Sequence, residues 1–449
     1  MADRGGADML PVRGGGAGGV CRAILAGIQT DGDIGRSMDE LAALAEAAGA
    51  EVVGHIVQSR EKPDGASYLG RGKVEELREF CENMGADAVI CNDEISGVQL
   101  RNLEERTGVG VIDRTMLIMD IFAARAASKE GKLQVELAQL QYRLPRLAGL
   151  GKSLSRLGGG IGTRGPGEKK LETDRRHISR RMYDIKSELR EAEAHRNLRR
   201  ARRKKNGVPV VALVGYTNSG KSALMNRILG MAERDEDTER AVLEKDMLFA
   251  TLDTFQRRVS FGDNVEFVLV DTVGFVSKLP HGLVKAFRAT LEEVTEADLL
   301  IHVVDGSRDD CEFQMQVVNE TLAELGASGK EAIIAMNKLD LAEALPGFLP
   351  DGGFVGRAGA IPVSARRGDN MGLLLDRIKE SLSSGFHSVE LLIPFDRGDI
   401  VSWLSEKTPV TGREYTETGT IVRTSLSAAD FMRLAGYELR GAGRARDEN

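Results

Sequence analysis

The chain has 449 residues, 42% of them hydrophobic and 29% charged, with a formal net charge of −7. That is too long for one hydrophobic core and ordinary for a soluble globular protein, so two to four domains are expected. Four scattered cysteines (Cys21, Cys81, Cys91, Cys311) with no CxxC pair argue against a disulfide framework or a zinc site and fit a reducing cytoplasm.

No apolar run approaches the roughly 18 residues of a membrane span. Residues 1–19 lack a signal-peptide core and read as a disordered tail. The charge is uneven. Arg175 to Lys205 holds thirteen Lys/Arg against four Asp/Glu, a local +9 that leaves −16 on the rest. Such a basic rod is either a nucleic-acid footprint or a solvated helix face.

Residues 20–125 alternate short apolar runs with helical patterns, which implies a parallel α/β domain. Strands are expected at Ala23–Ile28, Glu51–Gln58, Ala86–Cys91 and Val109–Ile112. Helices are expected at Met38–Ala48, Gly70–Met84 and Val98–Thr107. Gly70-Arg71-Gly72-Lys73, heading a helix, is either an anion site or only the start of that helix.

Residues 126–206 read as a helical hairpin. One stripe is Leu133, Leu137, Leu140 and Leu144; the other is Ile178, Met182, Ile185 and Leu189. Between them Gly149–Gly167 reads as an irregular glycine-rich loop, longer than a bundle connection needs. It carries Lys152, Arg156 and Arg164, which suit either an irregular polyanion or a plain flexible loop.

Residues 207–385 read as a doubly wound nucleotide domain, with strands at Val208–Val214, Val265–Val270, Leu299–Val304, Ala332–Met336 and Ile361–Val363. Residues 386–440 read as a small α+β domain without visible chemistry, and 441–449 as a second disordered tail. The fold class is thus multidomain α/β.

Gly215-Tyr216-Thr217-Asn218-Ser219-Gly220-Lys221-Ser222 fits GxxxxGK[ST] between an apolar strand and a helical pattern. Backbone N–H groups of such a turn curl around phosphates, helped by the helix N-terminus. Lys221 would reach the β- and γ-phosphates and the Ser222 hydroxyl would meet Mg²⁺. The competing explanation, a chance glycine-rich turn, weakens as further signals follow in order. Asp271-Thr272-Val273-Gly274 ends an apolar strand, placing an Asp for Mg²⁺ and a glycine N–H for the γ-phosphate. Thr251, in LFATLDT, is the candidate switch threonine for Mg²⁺ and γ-phosphate, with Thr254 its competitor. Asn337-Lys338-Leu339-Asp340 ends another strand. Asp340 would accept from guanine N1 and N2, the Lys338 stem would cover the base, and Asn337 would tie the two loops together. Ser364-Ala365 would offer a backbone N–H to guanine O6. Together these predict a GTP- and GDP-binding hydrolase with Lys221, Thr251 and Gly274 in catalytic roles. Phe275 follows the DxxG stretch, where many GTPases carry a water-orienting Gln.

The carrying stretches are GRGKVEEL (70–77), GIGTRGPGEKKLETDRR (160–176), LVGYTNSGKSALMN (213–226), LFATLD (248–253) and DTVGF (271–275). On them the chain resembles the HflX family, ribosome-associated GTPases of the translation-factor-like class, over about residues 20 to 440. The resemblance implies GTP hydrolysis coupled to binding, splitting or rescue of ribosomes through the large subunit. It implies a hairpin loop directed at the peptidyl transferase centre, and in some members ATP turnover. By this resemblance Lys152, Arg156, Arg164, Arg175 and Arg176 are candidate rRNA contacts, and the protein is expected to act as a monomer. Asn218 stands where related GTPases hold K⁺ against the phosphates, although it also suits simple closure of the turn. Two departures stand out: Thr254-Phe255 where the family has Pro-Thr, and Lys169-Lys170 after Gly167-Glu168 where it has Thr-Gln. Competing readings are a tRNA-modification GTPase, which would end in a reactive cysteine where this sequence has GAGRARDEN, and a signalling switch with the hairpin as a protein-binding arm.

Overall fold

The computed structural model describes residues 20–30, 32, 34–154, 166–205, 208–232, 255–261, 265–278, 288–342, 359–383, 386–408 and 410–439. The chain divides into two compact units. One is Met1–Arg202 with Glu244–Thr254 and Val273–Glu292; the other is Arg203–Leu243 with Phe255–Thr272 and Glu293–Asn449.

The first unit is built on four parallel strands in the order β2-β1-β3-β4: β1 Cys21–Gln29, β2 Ala50–Ser59, β3 Ala88–Cys91 and β4 Gly110–Asp113. Alternation along β1 sends Ala23 and Leu25 to one face and Ile24, Ala26 and Ile28 to the other. The first face is covered by α1 (Gly35–Ala47) and α4 (Arg114–Arg125), the second by α2 (Arg71–Met84) and α3 (Gly97–Thr107). Burial on both faces explains why these strands are near-continuous apolar runs. At the start of α2 the Gly70 N–H donates to Gln58 Oε1 at 2.8 Å, and Lys73 pairs with Glu76. Gly70–Lys73 has the geometry of a helix start.

The helical stretch after β4 is two helices, and the break between them falls at the 125/126 boundary expected from the sequence. α4 stops at Arg125, and α5 (Lys129–Leu154) follows. The Ser128 hydroxyl accepts from the Gly131 N–H at 2.9 Å, so it caps the second helix. α5 runs five residues past Gly149, so the loop expected from that position starts later; residues 155–165, with Arg156 and Arg164, lie outside the described residues. α6 spans Pro166–Lys205. The hairpin core is Leu133, Leu137 and Ile185 with Leu140, Met182 and Leu189 around it. Lys129–Glu188 (2.8 Å) and Arg181–Glu136 (2.6 Å) pair across it.

The tail of the DxxG stretch also belongs to the first unit. Val273 and Val276 are buried in the cluster that holds Leu25, Met38 and Phe122. Arg114, 2% exposed, donates to Ser277 Oγ at 3.1 Å, to Asn92 Oδ1 at 3.1 Å and to Glu40, whose carboxylate also takes the Ser277 hydroxyl. Lys278 Nζ meets Asp93 Oδ1 at 2.7 Å.

The second unit holds a six-stranded sheet in the order β10-β9-β8-β5-β7-β6. Its parallel strands are β5 Val210–Val214, β7 Val265–Asp271, β8 Leu299–Asp305, β9 Ala332–Asn337 and β10 Ile361–Pro362. The edge strand β6, Phe255–Phe261, runs antiparallel to β7 and was not expected from the sequence. Arg257 and Arg258 stand on this edge strand, and Arg258 is paired with Glu266 of β7. A separate sheet, β11-β13-β12 (Phe386–Pro394, Gly419–Ser427, Val410–Tyr415), packs Val389, Leu391, Ile393, Val422 and Leu426 against Ile400 and Leu404. This is the small α+β domain.

Candidate nucleotide site

The parallel strands of the second unit end in the residues that the motifs single out. β5 leads into the Gly215–Ser222 turn, β7 closes on Asp271, β9 on Asn337, and β10 leads to Ser364. Carboxyl ends of parallel strands are where an open α/β sheet binds ligands.

The turn is held by contacts that explain its residue types. A Cβ on Gly215 would lie 2.2 Å from Val303 O. Gly220 sits at φ +89, and its Cβ would lie 2.2 Å from Asn337 Nδ2. Only glycine fits at either position. Asn337 Nδ2 donates to Ser219 O at 2.9 Å, and Asn337 Oδ1 accepts from the Ala365 N–H at 3.0 Å. One buried side chain therefore joins the phosphate turn to the Ser364–Ala365 loop, as its place after β9 suggested.

Lys221, 7% exposed, begins α7 (Lys221–Met231) and donates back to Gly215 O (3.1 Å) and Tyr216 O (2.8 Å). Burial pushes its ammonium down to about 8, against the pull of Asp271. A phosphate anion would reverse that penalty by supplying a counter-charge. The Thr217 and Ser219 hydroxyls are buried with no hydrogen-bond partner among the described residues, so two donors stand ready for an anion. Asn218 is exposed at φ +60.

Ser222 Oγ donates to Asp271 Oδ2 at 2.6 Å, and Thr272 Oγ1 donates to Leu213 O at 2.6 Å, pinning the end of β7 to β5. A hydroxyl and a carboxylate side by side form a hard-oxygen donor pair that suits Mg²⁺. These two residues would hold the ion, which supplies charge neutralisation to the β- and γ-phosphates. Val273 and Gly274 follow in the first unit, both buried. Thr251 and Thr254 lie outside the described residues.

On the base side, Ser364 Oγ donates to Asp340 Oδ1 at 2.7 Å, fixing the carboxylate assigned to guanine. Lys338 adopts φ +63, and its Nζ meets Asp305 Oδ2 at 2.8 Å. Asp305, not singled out from the sequence, thus holds the Lys338 side chain at the end of β8. The signal was available: β8 is an apolar strand closing on Asp, as β7 does. His302 on β8, beside Val214, is buried and held neutral, its imidazolium pushed down to about 4 by burial and by the Lys221 charge.

Strand, phosphate turn, helix, DxxG, NKxD and the Ser364–Ala365 loop, all on successive strand ends, define a P-loop GTPase. Successive stretches of the sequence match families described as GTP-binding GTPase N-terminal (35–123), GTP-binding GTPase middle region (125–203), 50S ribosome-binding GTPase (210–338) and HflX C-terminal domain (354–436). A GTPase HflX of Caldanaerobacter subterraneus subsp. tengcongensis is 47% identical over 416 residues, 93% of either chain. A GTPase HflX of Escherichia coli is 39% identical over 402 residues, 89% of this chain and 92% of that one. Among solved structures, a GTP-binding protein from Sulfolobus solfataricus in complex with GDP is 25% identical and covers 81% of this chain and 99% of its own, at a TM-score of 0.41, too loose a superposition to add to the sequence match. The chain belongs to the HflX family of GTPases, and it is a GTP hydrolase. No helix among the described residues is long and apolar enough to cross a membrane.

Proposed function

We propose that this GTPase binds the large ribosomal subunit in its GTP state and couples hydrolysis to the splitting or rescue of ribosomes, with the hairpin loop directed at the peptidyl transferase centre. The observation that carries the reading is the charge on α6. Arg175, Arg180, Lys186 and Arg190 are exposed with no ion-pair partner among the described residues, whereas Arg181 and Arg196 are engaged by Glu136 and Glu130 of α5. The unengaged set is what a phosphate backbone would take up. Arg176, also exposed, holds Glu172 at 3.2 Å. Lys152 lies in the last turn of α5, where the described part of the hairpin ends. The family description "50S ribosome-binding GTPase" points to the same partner.

In this reading Gly215–Ser222, Asp271–Gly274, Asn337, Lys338, Asp340, Ser364 and Ala365 bind GTP, and Ser222, Asp271 and Thr251 hold Mg²⁺. Asn218 holds K⁺, which adds positive charge without an arginine finger. Hydrolysis by the free protein is slow and rises when the subunit orders the segments around Thr251 and Asp271–Phe275; ATP is at most a secondary substrate.

Co-sedimentation with purified large subunits tests the proposal. Retention is expected with a non-hydrolysable GTP analogue, weak with GDP, and steeply lost with salt. Equal retention with both nucleotides, or none with either, would overturn it. GTPase rates in potassium and in sodium test Asn218: equal rates, with and without ribosomes, refute that site.

A further inference from the structure

Arg227 lies half-buried on α7, the helix that begins in the phosphate turn. Its Nε donates to Ala365 O at 2.8 Å, and a terminal nitrogen donates to Arg366 O. Gly368, at φ +91, rests on the same guanidinium: a Cβ there would stand 3.4 Å from Arg227 Cζ. The loop is otherwise closed on itself. Gly368 N–H donates to Ser364 O at 2.7 Å, and Arg367 N–H donates to Ser364 Oγ at 3.0 Å.

The two carbonyls held by Arg227 determine where two amides point. In a planar trans peptide the C=O and N–H point in opposite directions. Holding Arg366 O turned toward α7 turns the Arg367 N–H away from it, onto Ser364 Oγ, as observed. Holding Ala365 O in the same way turns the Arg366 N–H away from α7. That amide has no hydrogen-bond partner among the described residues. The neighbouring Ala365 N–H is taken by Asn337. Arg366 N–H is thus an open donor of the loop, and its direction is set by a side chain from the phosphate-binding helix.

We propose that Arg227 is a positioning residue for base recognition: by holding the Ala365 and Arg366 carbonyls it aims the Arg366 N–H at guanine O6. The inference rests on the assignment of Asp340 and the Ser364–Ala365 loop to the base, and deepens it. A planar fork spanning two adjacent carbonyls is a task for Arg that the single ammonium of Lys does not reproduce.

The test uses the full chain and its R227M and R227K variants. Affinities are measured for GDP, for 6-thio-GDP, in which sulfur replaces the O6 acceptor, and for IDP, which keeps O6 and lacks the 2-amino group. The wild type is expected to prefer GDP over 6-thio-GDP by about tenfold, the scale of one well-made hydrogen bond. R227M should bring that preference to within about twofold while the GDP-over-IDP ratio, which reports Asp340, stays at its wild-type value. A loss of both preferences together would indicate general loosening of the pocket and overturn the proposal, as would an R227M protein that keeps the wild-type GDP/6-thio-GDP ratio. If R227M does not fold, R227K carries the same measurement, since it retains charge and length but not the fork. No preference of the wild type for GDP over IDP would instead remove the base-pocket assignment itself.

Discussion

Ser222 Oγ and Asp271 Oδ2 stand 2.6 Å apart, joining the first turn of α7 to the end of β7. The two side chains are 49 residues apart in sequence, and each comes from a motif that alone is weak. Their contact explains why a hydroxyl-bearing residue must follow Lys221: an alanine would leave the carboxylate without that donor and remove one of two oxygens offered to Mg²⁺.

Ser222→Ala is therefore expected to cut GTP affinity about tenfold or more in Mg²⁺, since a hydrogen bond to a charged group is worth about 1.5–3 kcal/mol. In excess EDTA the wild-type and variant affinities should converge. A variant that keeps its full magnesium dependence would show that the ion does not sit on Ser222.

Base choice makes a second prediction. Asp340 is oriented by the Ser364 hydroxyl at 2.7 Å, so its carboxylate is presented in a fixed direction. Asp340→Asn replaces an acceptor by a group that can donate, which suits the O2 of xanthine and opposes the N2 amine of guanine. Preference should move from GTP to xanthosine triphosphate by 10²-fold or more, on the order of the roughly 3 kcal/mol that mispaired buried polar groups cost. Unchanged GTP affinity would refute the assignment.

Much of this site was legible because phosphate and guanine recognition demand particular residue types at particular chain positions. Gly220 is the clearest case, with a left-handed φ and Asn337 Nδ2 where a Cβ would go. The strand ends were legible because parallel strands buried on both faces appear as unbroken apolar runs, as in Val210–Val214. The edge strand Phe255–Phe261 was not, because among the described residues it pairs on one side only and its sequence, FQRRVSF, carries adjacent arginines. The extension of α5 past Gly149 was missed because glycine is a poor helix former, yet propagation of an existing helix tolerates it. The Arg114, Glu40 and Ser277 cluster joins residues up to 237 positions apart, and nothing in local pattern announces such a contact.

His302 gives a pH prediction. Its folded pKa of about 4 lies below the ordinary 6.5, so between those values the unfolded chain binds the proton and the folded chain does not. Stability falls as pH drops from 6.5 toward 4, by about 3 kcal/mol at most from this one group. His302→Phe should flatten that part of the stability–pH curve measured by urea unfolding. An equally steep acid limb in the variant would show that other groups dominate.

Phe275 makes the last prediction. It occupies the position after DxxG where many GTPases orient the attacking water with Gln. Here the side chain is only 2% exposed, and its neighbours Val273 and Val276 are buried in the core of the first unit. Phe275→Gln would therefore bury an amide in an apolar setting, which costs about 1–3 kcal/mol without a compensating partner. The expected outcome has two parts. Single-turnover GTP hydrolysis by the free protein stays within about twofold of wild type, because a buried amide cannot reach the water. The melting temperature falls by roughly 2–12 °C, at the 2–4 °C per kcal/mol expected for a unit of this size. A large rate increase with no thermal penalty would mean that the segment swings out of its core during catalysis, and that water orientation is within reach of this position after all.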